Sequence, residues 1–118
     1  MILGFNESFI FTIVAGTKVH TIREGQRWQA GEIAQFCANA HQPDQYEFWS
    51  PRPIILVQDF HLTSDELCSV DGRSLNPTEL LALAQADGFA SAADLLAFFA
   101  DRSLPFRGQL LHWTGLRY

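Results

Sequence analysis

Apolar positions along the chain recur with two different periods, and the switches between them mark out strands and helices. Ile2, Leu3 and Phe5 form a short apolar run that predicts a first strand buried on both faces. Asn6 follows as a cap, with Phe9, Thr12, Ile13 and Gly16 at helical spacing and Gly16 where a left-handed C-terminal residue belongs. β-Branched Val19, Thr21 and Ile22 predict an extended segment over residues 17–23. Alternation along it puts Val19, Thr21 and Arg23 on one face and His20 and Ile22 on the other. After a turn around Trp28, strands are predicted at 33–38 and 54–62. Asp71-Gly72 joins 67–70 to 73–75 as a hairpin, because both residues accept the positive φ of a tight turn.

Two helices and a last strand complete the pattern. Asn76-Pro77-Thr78-Glu79 combines a cap, a proline at the first helical position and an acid three residues past the cap. Leu80, Leu83 and Ala84 then share a face up to Gly88, and Ser91 with Asp94 starts a second helix whose Leu95, Leu96 and Phe99 point inward. Residues 109–113 form an apolar strand expected inside the sheet. The mixture predicts an α+β fold. Between 39 and 53 no regular pattern holds, and a connection of that length in a compact domain is more often functional than idle. With Tyr46, Phe48, Trp49 and Arg52 it is the lid candidate.

Size and charge narrow the function. A chain of 118 residues with 47% apolar side chains fills one core, so residues 1–118 form one domain. Its formal charge is −5, with seven arginines and a single lysine, Lys18, which excludes a protein that coats polyanions. Residues 1–30 nevertheless carry three cations against two acids, whereas the rest carry five against eleven, so positive potential gathers around 18–27. That distribution suits a cleft for one or a few anionic or electron-rich groups. Cys37 and Cys68 lie far apart without a CxxC pair and read as reduced, buried thiols. No basic leader or apolar span is evident, so a cytoplasmic protein without a membrane partner is expected. His20, His41, His61 and His112 lack zinc-site spacing, and no phosphate loop, nucleophile elbow or dinucleotide fingerprint occurs, so neither a metal nor a cofactor is expected.

The run Ala15-Gly16-Thr17-Lys18-Val19-His20-Thr21-Ile22-Arg23 resembles the signature of the ASCH domains of the PUA-like superfamily, of the phage and bacterial type. Arg27-Trp28 followed by Gly31-Glu32-Ile33 resembles the family's turn into a strand. Asp87-Gly88-Phe89 with Ser91 resembles its link between helices, and His112-Trp113 its terminal strand. The resemblance implies a small, mainly antiparallel PUA-like β-barrel with flanking helices and a cleft beside Lys18. It implies a partner that is a nucleoside or single-stranded RNA. One branch of the family hydrolyses N(4)-acetylcytidine with a lysine, a threonine and a carboxylate. These fall on Lys18, Thr21 and Asp87, the last being one methylene shorter than the family's glutamate.

The chemistry sets its own conditions. A threonine hydroxyl attacks an amide only with a base in reach, and Lys18 serves only if burial or a neighbouring cation such as Arg23 lowers its pKa. Lys18 and Thr21 are three apart and would face opposite ways in a regular strand, so convergence requires Lys18 to belong to the loop after Gly16. Arg23 reads either as a clamp for a phosphate or carbonyl oxygen or as a barrel ion pair. His20 reads as a second base, a stacking platform or a packed core residue. Tyr46, Phe48, Trp49 and Arg52 read as a base-binding set or as ordinary packing. Three functions follow: nucleobase or RNA binding, amide hydrolysis of an N(4)-acylated cytidine, and a non-catalytic interaction scaffold.

Overall fold

A computed structural model describes residues 1–118 as an α+β fold of nine strands and three helices, with most strand pairs antiparallel. Strands β1 (Ile2–Phe5), β3 (Ile33–Ala38), β4 (Tyr46–Glu47) and β5 (Arg52–Pro53) form one sheet, with β1 parallel to β3. Strands β2 (His20–Glu24), β6 (Leu56–Leu62), β7 (Cys68–Val70), β8 (Arg73–Ser74) and β9 (Phe106–His112) form the other, in the order β2-β9-β6-β7-β8. The ladders thus make two sheets, and β2 is a free edge of the larger one.

β9 organises the core. Its consecutive residues Leu110 and Leu111 are fully buried on opposite faces. Leu110 joins Phe60, Val70, Leu83, Leu95 and Phe99, packed beneath helices α2 (Pro77–Ala86) and α3 (Ala92–Ala100). Leu111 joins Leu3, Phe5, Ile13, Phe36 and Trp113 against the smaller sheet. The larger sheet is therefore covered on both sides. β1 differs from expectation, because only Leu3 and Phe5 are buried while Ile2 and Gly4 are partly open.

Local signals placed most elements. Asn76 Oδ1 accepts from Glu79 N–H while the Glu79 carboxylate accepts from Asn76 N–H, the reciprocal cap that starts α2. Ser91 Oγ accepts from Asp94 N–H at the start of α3. Asp71 and Gly72 both adopt positive φ between β7 and β8. The helix expected after Asn6 is shorter, a 3₁₀ turn at Glu7–Phe9 followed by α1 (Ile10–Val14). Asn39–Pro53 is not free loop: β4 and β5 pair with β3, and Phe48 and Trp49 pack against the second core. The strand expected at 17–23 begins only at His20, which leaves Lys18 in the preceding connection.

Candidate functional site

Gly16, at φ +84°, turns the chain back at the end of α1. Thr17 and Lys18 N–H groups both donate to the Thr12 carbonyl, and Val19 N–H donates to the carbonyl of Ala86 at the end of α2. That docking brings Lys18 beside Asp87, the residue that caps α2. Gly88 follows at φ +98°, and a Cβ there would press on the Phe9 ring and the Lys18 stem, so the glycine serves both the turn and the close approach.

The result is a cavity of about 240 Å³ at the free edge of β2, walled by Phe5, Phe9 and Phe89 and containing Lys18, Thr21, Arg23 and Asp87. Thr21 and Arg23 enter from one strand at alternate positions, as expected of β geometry. Lys18 Nζ donates to the Asp87 carbonyl at 2.5 Å and lies 3.5 Å from Asp87 Oδ1. It also sits 4.9 Å from the centre of the Phe9 ring. Lys18 is only 2% exposed, and this burial lowers its pKa. Arg23 lowers it further while Asp87 opposes, and desolvation prevails. Lys18 accordingly gives up its proton more readily than a surface lysine, and in the neutral form it can accept one.

Behind the carboxylate stands a second set of buried groups. His20 is fully buried, with Nδ1 2.8 Å from Asp87 Oδ1 and Nε2 2.7 Å from Tyr118 Oη. The carboxylate only accepts, so Nδ1–H donates to it and Nε2 accepts from the tyrosine hydroxyl. Tyr118 remains a neutral phenol because burial raises its pKa. Its backbone N–H donates to Gln58 Oε1 and its carbonyl accepts from Gln58 Nε2. His112, fully buried with its ring 5.2 Å from that of His20, is 3.0 Å through Nε2 from Gln58 Oε1. His20 therefore fixes the orientation of Asp87 without touching the cavity, and neither substrate contact nor base stacking is open to it.

The remaining sequence candidates separate. Arg23 forms no ion pair with an acid. One Nη2–H donates to the Gly4 carbonyl at 2.6 Å, the guanidinium stacks 5.0 Å above Phe5, and Nε is buried without a partner. Phe48 and Trp49 pack half-buried against the second core, Arg52 stacks on Trp49 at 3.3 Å, and Tyr46 is exposed on β4. None of these four lines the cavity: of the segment expected to act as a lid, 46–53 packs away from it, while Asn39, Ala40, His41 and Gln42 line a neighbouring groove. No cluster of three His, Cys, Asp or Glu groups has metal-site geometry. No helix is long and apolar enough to cross a membrane. Compared with protein-family models, curated proteins and solved structures, the chain matches none.

Sequence reasoning missed Tyr118, Gln58 and His112, which carry the support for Asp87. Their signal was a polar residue at a position that alternation assigns to the apolar face of its strand, Gln58 with Leu56, Phe60 and Leu62 in β6 and His112 with Phe106 and Leu110 in β9. The pair also sets a pH dependence. Burial and His20 depress the pKa of His112 to about 4, below its ordinary 6.5. Between these values the unfolded chain binds a proton that the folded chain refuses, so stability falls as pH drops through that window. The expected loss is about 2 kcal/mol, a shift of this kind being worth about 1.4 kcal/mol per unit before solvent screening. Urea midpoints measured between pH 7 and about 4 should show it, and His112→Gln should flatten the slope. An unchanged slope in that variant would assign the acid sensitivity elsewhere.

Proposed function

We propose that the cavity hydrolyses the amide of an N(4)-acylated cytosine nucleoside. The observation that carries this reading is the convergence of Lys18, Thr21 and Asp87 in one small, aromatic-walled cavity where burial depresses the lysine pKa. Thr21 Oγ bonds to the acyl carbon as its proton passes to neutral Lys18 Nζ. The C–N bond then breaks, Lys18 returns that proton to the leaving amine, and the base departs as cytidine. Water next adds to the threonyl ester, giving the free carboxylic acid and restoring the hydroxyl. Asp87, held by His20, keeps Lys18 in place. Arg23 supplies positive charge for the developing oxyanion.

The resemblance to ASCH domains supports the same substrate class, and the helix-flanked pair of sheets supports reading the fold as an open PUA-like barrel. Single-stranded RNA has less support. The aromatic residues suited to stacking successive bases lie outside the cavity, Phe48 and Trp49 half-buried against the second core and Tyr46 on β4. Catalysis is favoured over a passive base pocket or scaffold because a buried lysine and hydroxyl are costly in a cavity that needs only shape.

The test is incubation with N(4)-acetylcytidine. Release of cytidine and acetate is expected, with kcat/KM rising with pH as Lys18 loses its proton. Thr21→Ala should reduce turnover by at least about 100-fold, while Thr21→Ser keeps the nucleophile and part of the rate. Absence of acetate at high enzyme concentration would rule out the hydrolase, and tight binding without turnover would leave a base-binding pocket.

A further inference from the structure

The catalytic cavity does not end at Arg23. A wider groove of about 570 Å³ adjoins it, and Gly4, Phe5, Asn6, Arg23 and Glu24 line both. Arg27 and His41 stand in the groove, and Arg102 stands at the cavity. Across the two compartments four cations, Lys18, Arg23, Arg27 and Arg102, face two acids, Glu24 and Asp87. The chain as a whole carries −5, yet this joined space carries two net positive charges. Such a reversal focuses an anion onto one spot.

The arginines are also unspent. The salt bridges of the molecule are Lys18 to Asp87, His20 to Asp87, and Arg73 to Glu79, so Arg23, Arg27 and Arg102 have no carboxylate partner. Burial lowers the pKa of Arg23 to about 10, with Asp87 opposing and Arg102 and Arg27 adding to the depression, while Arg27 lines the groove and Arg102 the cavity, the two spaces that Arg23 also lines. Arg23 is half-buried while Arg27 and Arg102 are exposed, so like charges line this space without a carboxylate counter-ion and with their outer ends open to an incoming anion. A planar guanidinium pairs with phosphate through parallel N–H donors, and the groove has room that a base in the inner cavity would leave empty.

We infer that the groove is a phosphate subsite, and that the preferred substrate is a nucleoside 5′-monophosphate whose base enters the inner cavity, beside Arg23, while Arg27 holds the phosphate. The inference rests on the proposed hydrolase for the identity of the base, and on the groove alone for the anion. It makes Arg27 a specificity-determining residue.

Two measurements test it. The first compares kcat/KM for N(4)-acetylcytidine 5′-monophosphate and N(4)-acetylcytidine. The ratio should be about 10 or more at low salt, since a charge-assisted contact is worth about 1.5–3 kcal/mol. It should shrink in about 1 M salt, where the Debye length is about 3 Å, and fall toward 1 in Arg27→Gln. The second is calorimetric binding of cytidine 5′-monophosphate against cytidine, which decides the question even if neither acylated compound is turned over. Monophosphate preference in binding without hydrolysis would keep the subsite and remove the hydrolase. Equal affinities, or a preference untouched by Arg27→Gln, would overturn the subsite while leaving nucleoside hydrolysis intact. Stronger binding of a short cytidine-containing RNA than of the monophosphate would also overturn it, in favour of a strand running along the groove.

Discussion

Asp87→Asn should cost about 3–5 kcal/mol at pH 7 and abolish turnover together with it, because it removes one carboxylate from between two buried bases. Lys18 Nζ and His20 Nδ1 lie 3.5 and 2.8 Å from the same Oδ1. An asparagine oxygen still accepts from the imidazole, but it carries no charge to offset the ammonium. Lys18 must then persist as an unpaired buried cation or give up its proton, and both alternatives are paid for in folding free energy. For a domain whose total stability is about 5–15 kcal/mol, this is a large fraction.

The sign of the pH dependence separates this cause from general disruption. The folded pKa of Lys18 already lies below its ordinary 10.5, so between the two values the unfolded chain binds the extra proton and stability rises with pH. Loss of the Asp87 charge lowers the folded pKa further and widens that window downward. The deficit of Asp87→Asn should therefore be largest near neutrality and close as pH approaches about 10.5. Adding Lys18→Met, which replaces the ammonium by an apolar chain of similar length, should bring the double variant back to within about 2 kcal/mol of the parent. Chemical denaturation of the four proteins at pH 7 and 10 completes the cycle. A deficit that stays constant with pH, or that the methionine fails to relieve, would show that Asp87 acts through backbone packing instead of charge.

The elements legible in the sequence were those set by local chemistry. Asn76, Pro77 and Glu79 announce a helix start whatever surrounds them, and Asp71-Gly72 announces a turn. The alternation that placed Thr21 with Arg23 and set His20 apart is equally local, and those three residues follow it. Ile22, expected on the His20 face, also lines the cavity because the cavity lies at the edge of β2. The requirement that Lys18 lie in the loop after Gly16 is also met, since β2 begins two residues later. What escaped depends on contacts distant in sequence. Trp49 looks the same in a list of residues whether it stacks on a ligand or meets Phe36 edge to face, as it does, 5.2 Å between ring centres. Tyr118 reaches His20 only because β2, β9 and β6 lie side by side, with His112 paired to His20 on one edge and to Leu56 on the other. Arg27 and His41 meet across a groove that no periodicity forecasts.

Gly108→Ala should destabilise the protein by about 3 kcal/mol and displace Arg23, although it adds a single methyl group. The apolar pattern starts the last strand at 109, but β9 begins at Phe106, which places Gly108 inside the ladder opposite Glu24. A glycine within a strand marks a close backbone approach. A Cβ at 108 would fall well inside contact distance of the Arg23 carbonyl oxygen and 3.0 Å from both the Arg23 carbonyl carbon and the Phe106 ring. Backbone cannot rotate aside as a side chain can, so β2 must move away from β9, taking Thr21 and Arg23 with it. The entropy gained on replacing glycine in a strand, about 0.5–1 kcal/mol, is too small to offset that displacement. Gly115→Ala supplies the control, because nothing lies within 4 Å of its Cβ position, and it should change stability by less than about 1 kcal/mol. Denaturant midpoints compare the two, and amide spectra of β2 report the shift of the strand. Equal midpoints for Gly108→Ala and the parent would mean that the β2–β9 pairing yields freely, and that the position of Arg23 at the cavity is not set by this contact.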